Sequence, residues 1–248
     1  MANILSQDEV DALMGAVESG DLITEEQGEG GATGDRQSQV MEYNFRRPNL
    51  ITKDELQLFK SLHLNYCRDL QSHLSLLTRS SSETNLVSAD QTQYGEFIVS
   101  LSSVSHLALL SFPPLPGLVI MEINLSLVFG VVDLLLGGQG DVEAEMRRLS
   151  EVELAITEPF LERLTGQLKQ TWNNVMDVDV QIDRLESSPE YAQAAPSDAP
   201  MVALTIDARL GQANGIINLC YPMPMVQTML ERMSGRSLQL ETYYGVGD

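Results

Sequence analysis

Apolar positions along the chain fall into blocks with different periods. In residues 1–17, Val10, Leu13, Met14 and Val17 recur at helical spacing and form one stripe. Ser6 is placed to cap that helix, and Glu9 can reach back to complete a capping box. Ile4 or Leu5 stands where a hydrophobic staple would. Asp8, Glu9 and Asp11 put negative charge at the end that the helix dipole favours. A helix this short is marginal alone in water. The segment therefore reads as one that folds when a partner supplies a groove.

Residues 18–42 have almost nothing to bury. Gly20, Gly28, Gly30, Gly31 and Gly34 alternate with Asp21, Glu25, Glu26, Glu29 and Asp35. This is a flexible acidic linker with a root-mean-square reach of roughly 25–30 Å. The folded part runs from residue 43 to 235, and residues 236–248 read as the start of another linker.

Within the folded part, Thr52 and Glu55 form a capping box ahead of Leu56, Phe59, Leu62, Tyr66, Leu70, Leu74 and Leu77. That spacing predicts a long helix to about Arg79. Residues 84–92 read as extended. Residues 94–101 fit a strand or a short helix equally. Residues 105–112 read as a strand, and Pro113, Pro114 and Pro116 as a rigid turn. The near-continuous apolar run 117–123 predicts a strand buried on both faces. A helix follows over 125–136, closed by Gly137, Gly138, Gln139 and Gly140. Ser150 and Glu153 cap another long helix, with Val152, Ile156, Phe160, Leu164, Leu168, Trp172 and Val175 along one face and a kink expected at Pro159. Strands at about 178–186, 201–210 and 214–221 precede a helix over 223–233.

The last of these elements echo earlier ones. The strand beginning at Gly117 leads into a helix and Gly137; the strand beginning at Gly215, 98 residues later, leads into a helix and Gly235. In that register Leu118 matches Ile216, Val119 matches Ile217, Met121 matches Leu219, and Asp133 matches Glu231. The pattern predicts an internal duplication: two helix–strand–strand–helix halves sharing one sheet, in an α/β class.

Charge narrows the partners. The net charge is −20, and residues 1–42 hold ten acidic residues against one basic. Basic residues cluster no further than Arg46-Arg47 and Arg147-Arg148, which argues against nucleic acid and anionic lipid and for partners with basic surfaces. Cys67 and Cys220 read as reduced, buried thiols of a cytosolic protein. The N-terminus has no basic region ahead of an apolar one, so no secretory signal is read. Residues 117–138 are long enough for a membrane span, but Glu122, Asn124 and Asp133 interrupt them, and no transmembrane segment is expected.

No catalytic, cofactor or metal apparatus is legible. Gly137 to Gly140 follow a helix rather than opening one, so they do not make a phosphate loop. They are either a C-cap with a turn or a loop lying close against something else. His63 and Cys67 have metal-ligand spacing but no companion pair; a packed thiol and a half-exposed imidazole are expected. Glu151, Glu153, Glu158 and Glu162 read as a solvated helix face.

Taken together, these residues resemble a known family. The run of residues 5–13, the acidic linker, residues 43–48 (Tyr-Asn-Phe-Arg-Arg-Pro), residues 127–140 and residues 215–220 occur in the order found in the FliM flagellar motor switch proteins. Val10 and Met14 stand where Ile and Leu are usual, which keeps the stripe apolar. The resemblance implies a three-layer α/β/α domain with pseudo-twofold symmetry, like the CheC phosphatases, behind a disordered acidic tail. It implies docking of phosphorylated CheY on Leu5, Ser6, Gln7, Asp8, Glu9, Val10, Asp11, Ala12, Leu13 and Met14. It implies contact with FliG through Gly137, Gly138, Gln139 and Gly140, neighbouring copies in a ring, and a place at the cytoplasmic face of the inner membrane in the flagellar basal body. The family continues into a C-terminal FliN-like domain, of which this sequence shows no part, so FliN binding is not expected here. The alternative is a CheC-type phosphatase of the response regulator. Those relatives carry Glu-x-x-Asn on a long helix, where this chain has Pro159 and Glu162; neither can position water beside a phosphate.

Overall fold

The computed structural model describes residues 50–142 and 147–244, with side chains described to Ser234. The expected N-terminal helix, the linker and the docking residues Leu5 to Met14 lie outside the described residues. In chain order the elements are α1 (Lys53–Thr78), β1 (Ser82–Gln93), α2 (Tyr94–Ser100), β2 (His106–Phe112), β3 (Leu115–Ile123), α3 (Leu125–Leu135), α4 (Glu151–Asn173), β4 (Gln181–Glu186), a 3-10 turn (Pro189–Tyr191), β5 (Pro200–Leu210), β6 (Ala213–Pro222) and α5 (Met223–Tyr244).

The helix starts follow local chemistry. Thr52 and Ser150 each accept a hydrogen bond from the backbone N–H three residues on, and Glu55 and Glu153 reach back to the cap N–H groups. Asn124 caps α3 by accepting from Ser126 N–H at 2.9 Å. The left-handed residue Arg79 closes α1. Residues 94–101 resolve as helix α2, whose Tyr94 and Phe97 are buried beneath it.

Six antiparallel strands form one sheet in the order β1-β5-β6-β3-β2-β4. Strand alternation sends Ala108, Leu110, Val119, Met121, Leu204, Leu219 and Tyr221 to one face, where they share a core with α1, α3, α4 and α5. Leu107, Leu109, Ile120 and Cys220 point to the other face, covered by α2 and the segment around Ala192. The three layers are thus unequal, with a thick helical layer on one side and a thin one on the other.

The duplication is visible in the register. The central pair β3–β6 sets Met121 opposite Leu219. Adding the sequence offset to Met121 (121 + 98 = 219) gives its own partner, so the pseudo-twofold axis passes between these two residues. Exchanging β3 with β6, β2 with β5 and β1 with β4 leaves the strand order unchanged. Each half is therefore helix–strand–strand–strand–helix, not helix–strand–strand–helix. Both extra strands are expected from sequence, over 84–92 and 178–186, but each pairs with the other half: β1 lies on β5, and β4 on β2. The halves are interleaved.

Other expectations are corrected by packing. Val152 is 69% exposed, and Thr157 and Leu161 face the core in its place. Pro159 lies inside α4, on its exposed face, without ending the helix. Helix α5 continues past Gly235 to Tyr244; one glycine costs a helix about 1 kcal/mol and does not have to end it. His63 is fully buried rather than half-exposed.

Candidate functional site

Helix α3 is apolar on nearly every side, and Leu125, Leu127, Val128, Val131 and Leu134 are buried. Asp133 is its one charged residue. It lies one turn before the helix ends, where Leu136 is the C-cap. Leu136 N–H donates to the carbonyls of Val132 and Asp133 at 3.1 Å, and Gly137 N–H to that of Leu134 at 3.1 Å. Gly138 N–H donates to the Asp133 carbonyl at 2.8 Å. The Asp133 carboxylate then reaches over the turn and accepts from Gly140 N–H at 2.8 Å.

Each glycine of the loop has its own reason. Gly137 has φ +95° and faces open space; only its left-handed backbone demands glycine. Gly138 has no room for a Cβ, because the Asp133 carboxylate occupies that place. Gly140 has φ +83° and lies against Ala213 N, which a Cβ would meet at 2.9 Å. Upstream, Gly130 lets α3 approach Ala213 and the Gly140 carbonyl.

The loop is also braced by the second half. Gln212, in the turn between β5 and β6, donates its N–H to the Gln139 carbonyl at 3.1 Å and its side-chain amide to Gln139 Oε1 at 3.0 Å. Gly211 N–H donates to the Ser81 carbonyl at 2.8 Å, tying that turn to the end of α1. What remains exposed is a small prow: Leu136 at 70%, then Gly137, Gly138 and Gln139. Beyond the loop, Arg147 stacks 4.6 Å over the Phe129 ring and pairs with Glu153 through two 2.8 Å contacts. That hydrogen-bonded guanidinium holds the Glu153 carboxyl down at about 2.

Of the alternatives left open by sequence for this loop, the cap is what the geometry shows, with the loop held against the turn of Gln212. It caps α3, and it presents an apolar tip over a rigid backbone. Such a surface can dock a protein; its exposed positions, Leu136 to Gln139, carry no ionisable side chain. Asp133 and Gln212 are the residues that sequence reasoning did not assign to the site. The signal for Asp133 was an isolated acid in an apolar helix. Gln212 had none, because its contact spans 73 residues.

The other candidates sit elsewhere. His63 Nδ1 lies 3.0 Å from the Phe59 carbonyl and Nε2 2.9 Å from Tyr221 Oη. A carbonyl only accepts, so Nδ1 carries the proton and Nε2 accepts from the tyrosine. Burial pushes the Cys67 thiol up to about 12 and raises Cys220 too, which leaves both poor nucleophiles. Pro159 and Glu162 are exposed on α4. Among the described residues no group of three or more His, Cys, Asp or Glu is placed to hold a metal. None of the described helices is long and apolar enough to cross a membrane.

Known proteins resemble this arrangement closely. The family model described as flagellar motor switch protein FliM matches residues 52–238. The flagellar motor switch protein FliM of Treponema pallidum is 29% identical over 236 residues, which are 95% of this chain and 67% of the relative. The chain thus spans about two thirds of that protein's length. Among solved structures, the FliG–FliM complex from H. pylori matches with a TM-score of 0.70 and 32% identity, covering 73% of this chain and 100% of the other. The FliM middle domain from H. pylori matches with a TM-score of 0.67 and 31% identity, covering 73% and 99%.

Proposed function

The chain belongs to the FliM family of flagellar motor switch proteins, and from that premise we propose that it docks FliG through the Gly137–Gly140 loop, at its exposed Gly137, Gly138 and Gln139 with Gly140 buried beneath them, and phosphorylated CheY through residues 5–14, setting the sense of flagellar rotation. The observation that carries the FliG half is the likeness to the H. pylori FliM solved with FliG, combined with an exposed loop whose backbone is held from both sides. A preorganised loop loses little entropy on binding, which favours docking on a rigid ring component.

The CheY half rests on the capped amphipathic pattern of residues 5–14 and its acidic flank. Captured regulator is concentrated near the folded part by the linker, so a weak second contact becomes effective. That contact biases a two-state switch complex. In this reading residues 1–17 are the docking segment, 18–42 the tether, and the residues behind them the ring-building domain, whose last helix runs on past Gly235 to Tyr244. Copies stand side by side in a ring at the cytoplasmic face of the inner membrane. The protein acts as an adaptor and performs no chemistry. The phosphatase alternative finds no support in the exposed Pro159 and Glu162.

Leu136→Asp places a charge on the exposed tip and is expected to weaken FliG binding about tenfold or more. Titration calorimetry with FliG reads this directly, and an unchanged affinity removes the loop from the interface. For CheY, the full chain is titrated with the regulator in the presence and absence of beryllofluoride. Tighter binding of the beryllofluoride form is expected; equal affinity for the two forms overturns the switching mechanism.

A further inference from the structure

We propose that Asp133 is a positioning residue for the FliG-binding loop: its carboxylate, not the glycines alone, sets the loop's shape. This rests on the loop being the FliG contact.

The argument starts from the cost of the residue. Asp133 stands in a helix whose other buried positions are apolar, and it is itself half-buried. A carboxylate in such a place is expensive unless it is hydrogen-bonded. Its oxygen meets the Gly140 N–H at 2.8 Å, and its backbone carbonyl meets Gly138 N–H at 2.8 Å. One residue therefore holds two of the four loop positions. The carboxylate also occupies the space in which a Gly138 Cβ would stand. Gly138 is thus required by Asp133, rather than by its own backbone angles, since its φ is not in the left-handed region. Without the carboxylate, Gly140 N–H loses its acceptor and the Gln139 tip keeps only its brace on Gln212. A carboxylate-to-amide bond is among the stronger hydrogen bonds, so its loss shifts the loop away from its bound shape.

FliG affinity measured by calorimetry on the full chain separates the possibilities. Asp133→Ala is expected to weaken binding about tenfold. Asp133→Asn keeps an acceptor oxygen and is expected to bind within about twofold of the parent. Gly138→Ala is expected to weaken binding like Asp133→Ala, because it pushes the carboxylate aside while leaving α3 intact. In the Asp133→Ala background the same change should cost much less than in the parent, since the carboxylate that it displaces is gone. Equal weakening by Asp133→Asn and Asp133→Ala would mean that the charge itself meets FliG and overturns positioning. So would additive losses in the double variant. Parent-like binding by Asp133→Ala, with Leu136→Asp still weakened, overturns this inference and leaves the FliG-contact reading standing. Parent-like binding by Leu136→Asp overturns that reading instead.

Discussion

His63 joins the two halves of the molecule through one ring. It sits on α1 of the first half, accepts from Tyr221 of the second, and packs edge-on or tilted against Phe59, Trp172 and Tyr221. Burial pushes its pKa down to about 4, and burial does the same to His106, whose Nε2 has no hydrogen-bond partner. The unfolded chain protonates these residues near 6.5, so between pH 6.5 and 4 it binds more protons than the folded one. Stability is full above pH 6.5 and is lost as the pH falls towards 4. The loss is about 3 kcal/mol for each histidine at the limit. Glu122 works in the opposite sense, because burial raises its pKa even though Asn218 donates to it at 2.8 Å. Glu153 titrates below this window, its pKa being held at about 2 by Arg147. Urea unfolding at pH 7.5, 6 and 5 is therefore expected to show falling stability, with a shallower fall in His106→Gln. A flat profile would contradict the burial argument.

Among the elements, the two helices that follow the central strands are seated in related ways. Gly215 of β6 lies against the start of α3, where an added Cβ would stand 2.8 Å from Leu127 Cβ and 3.4 Å from the Asn124 side chain. Gly117 of β3 lies against Pro222, just before α5, at 3.2 Å. The offset that pairs Gly117 with Gly215 also pairs Asn124 with Pro222 (124 + 98 = 222). Each strand's glycine thus receives the helix start of the other half. Gly215→Ala should force α3 outward and cost about 1–3 kcal/mol, read as a lower thermal midpoint. Because α3 carries the loop, the same variant should weaken FliG binding even below its melting range. A midpoint equal to the parent's would show that the strand–helix seat is loose.

For the whole molecule, the interleaving of halves decides what sequence reading could reach. The elements themselves were legible, because caps such as Thr52–Glu55 and Ser150–Glu153 and periods of 3.6 and 2 act within a few residues. The 98-residue offset was legible too, and it already contained the axis, since it pairs Met121 with the residue that faces it. The placement of β1 and β4 was not legible, because strand partners are chosen by which edge is open and not by local pattern. The same holds for His63, expected to be half-exposed for want of companion metal ligands, but buried against Tyr221 from 158 residues away. Outside residues 94–101, the element types were legible in the chain alone, as were the duplication, the family likeness and the glycine loop, since each is written in short spacings or in the composition of a segment. Only the tertiary structure decided that Asp133 and Gln212 hold that loop, and that its tip points outward at Leu136. Those facts depend on where a carboxylate and a distant turn come to rest, which no local rule specifies.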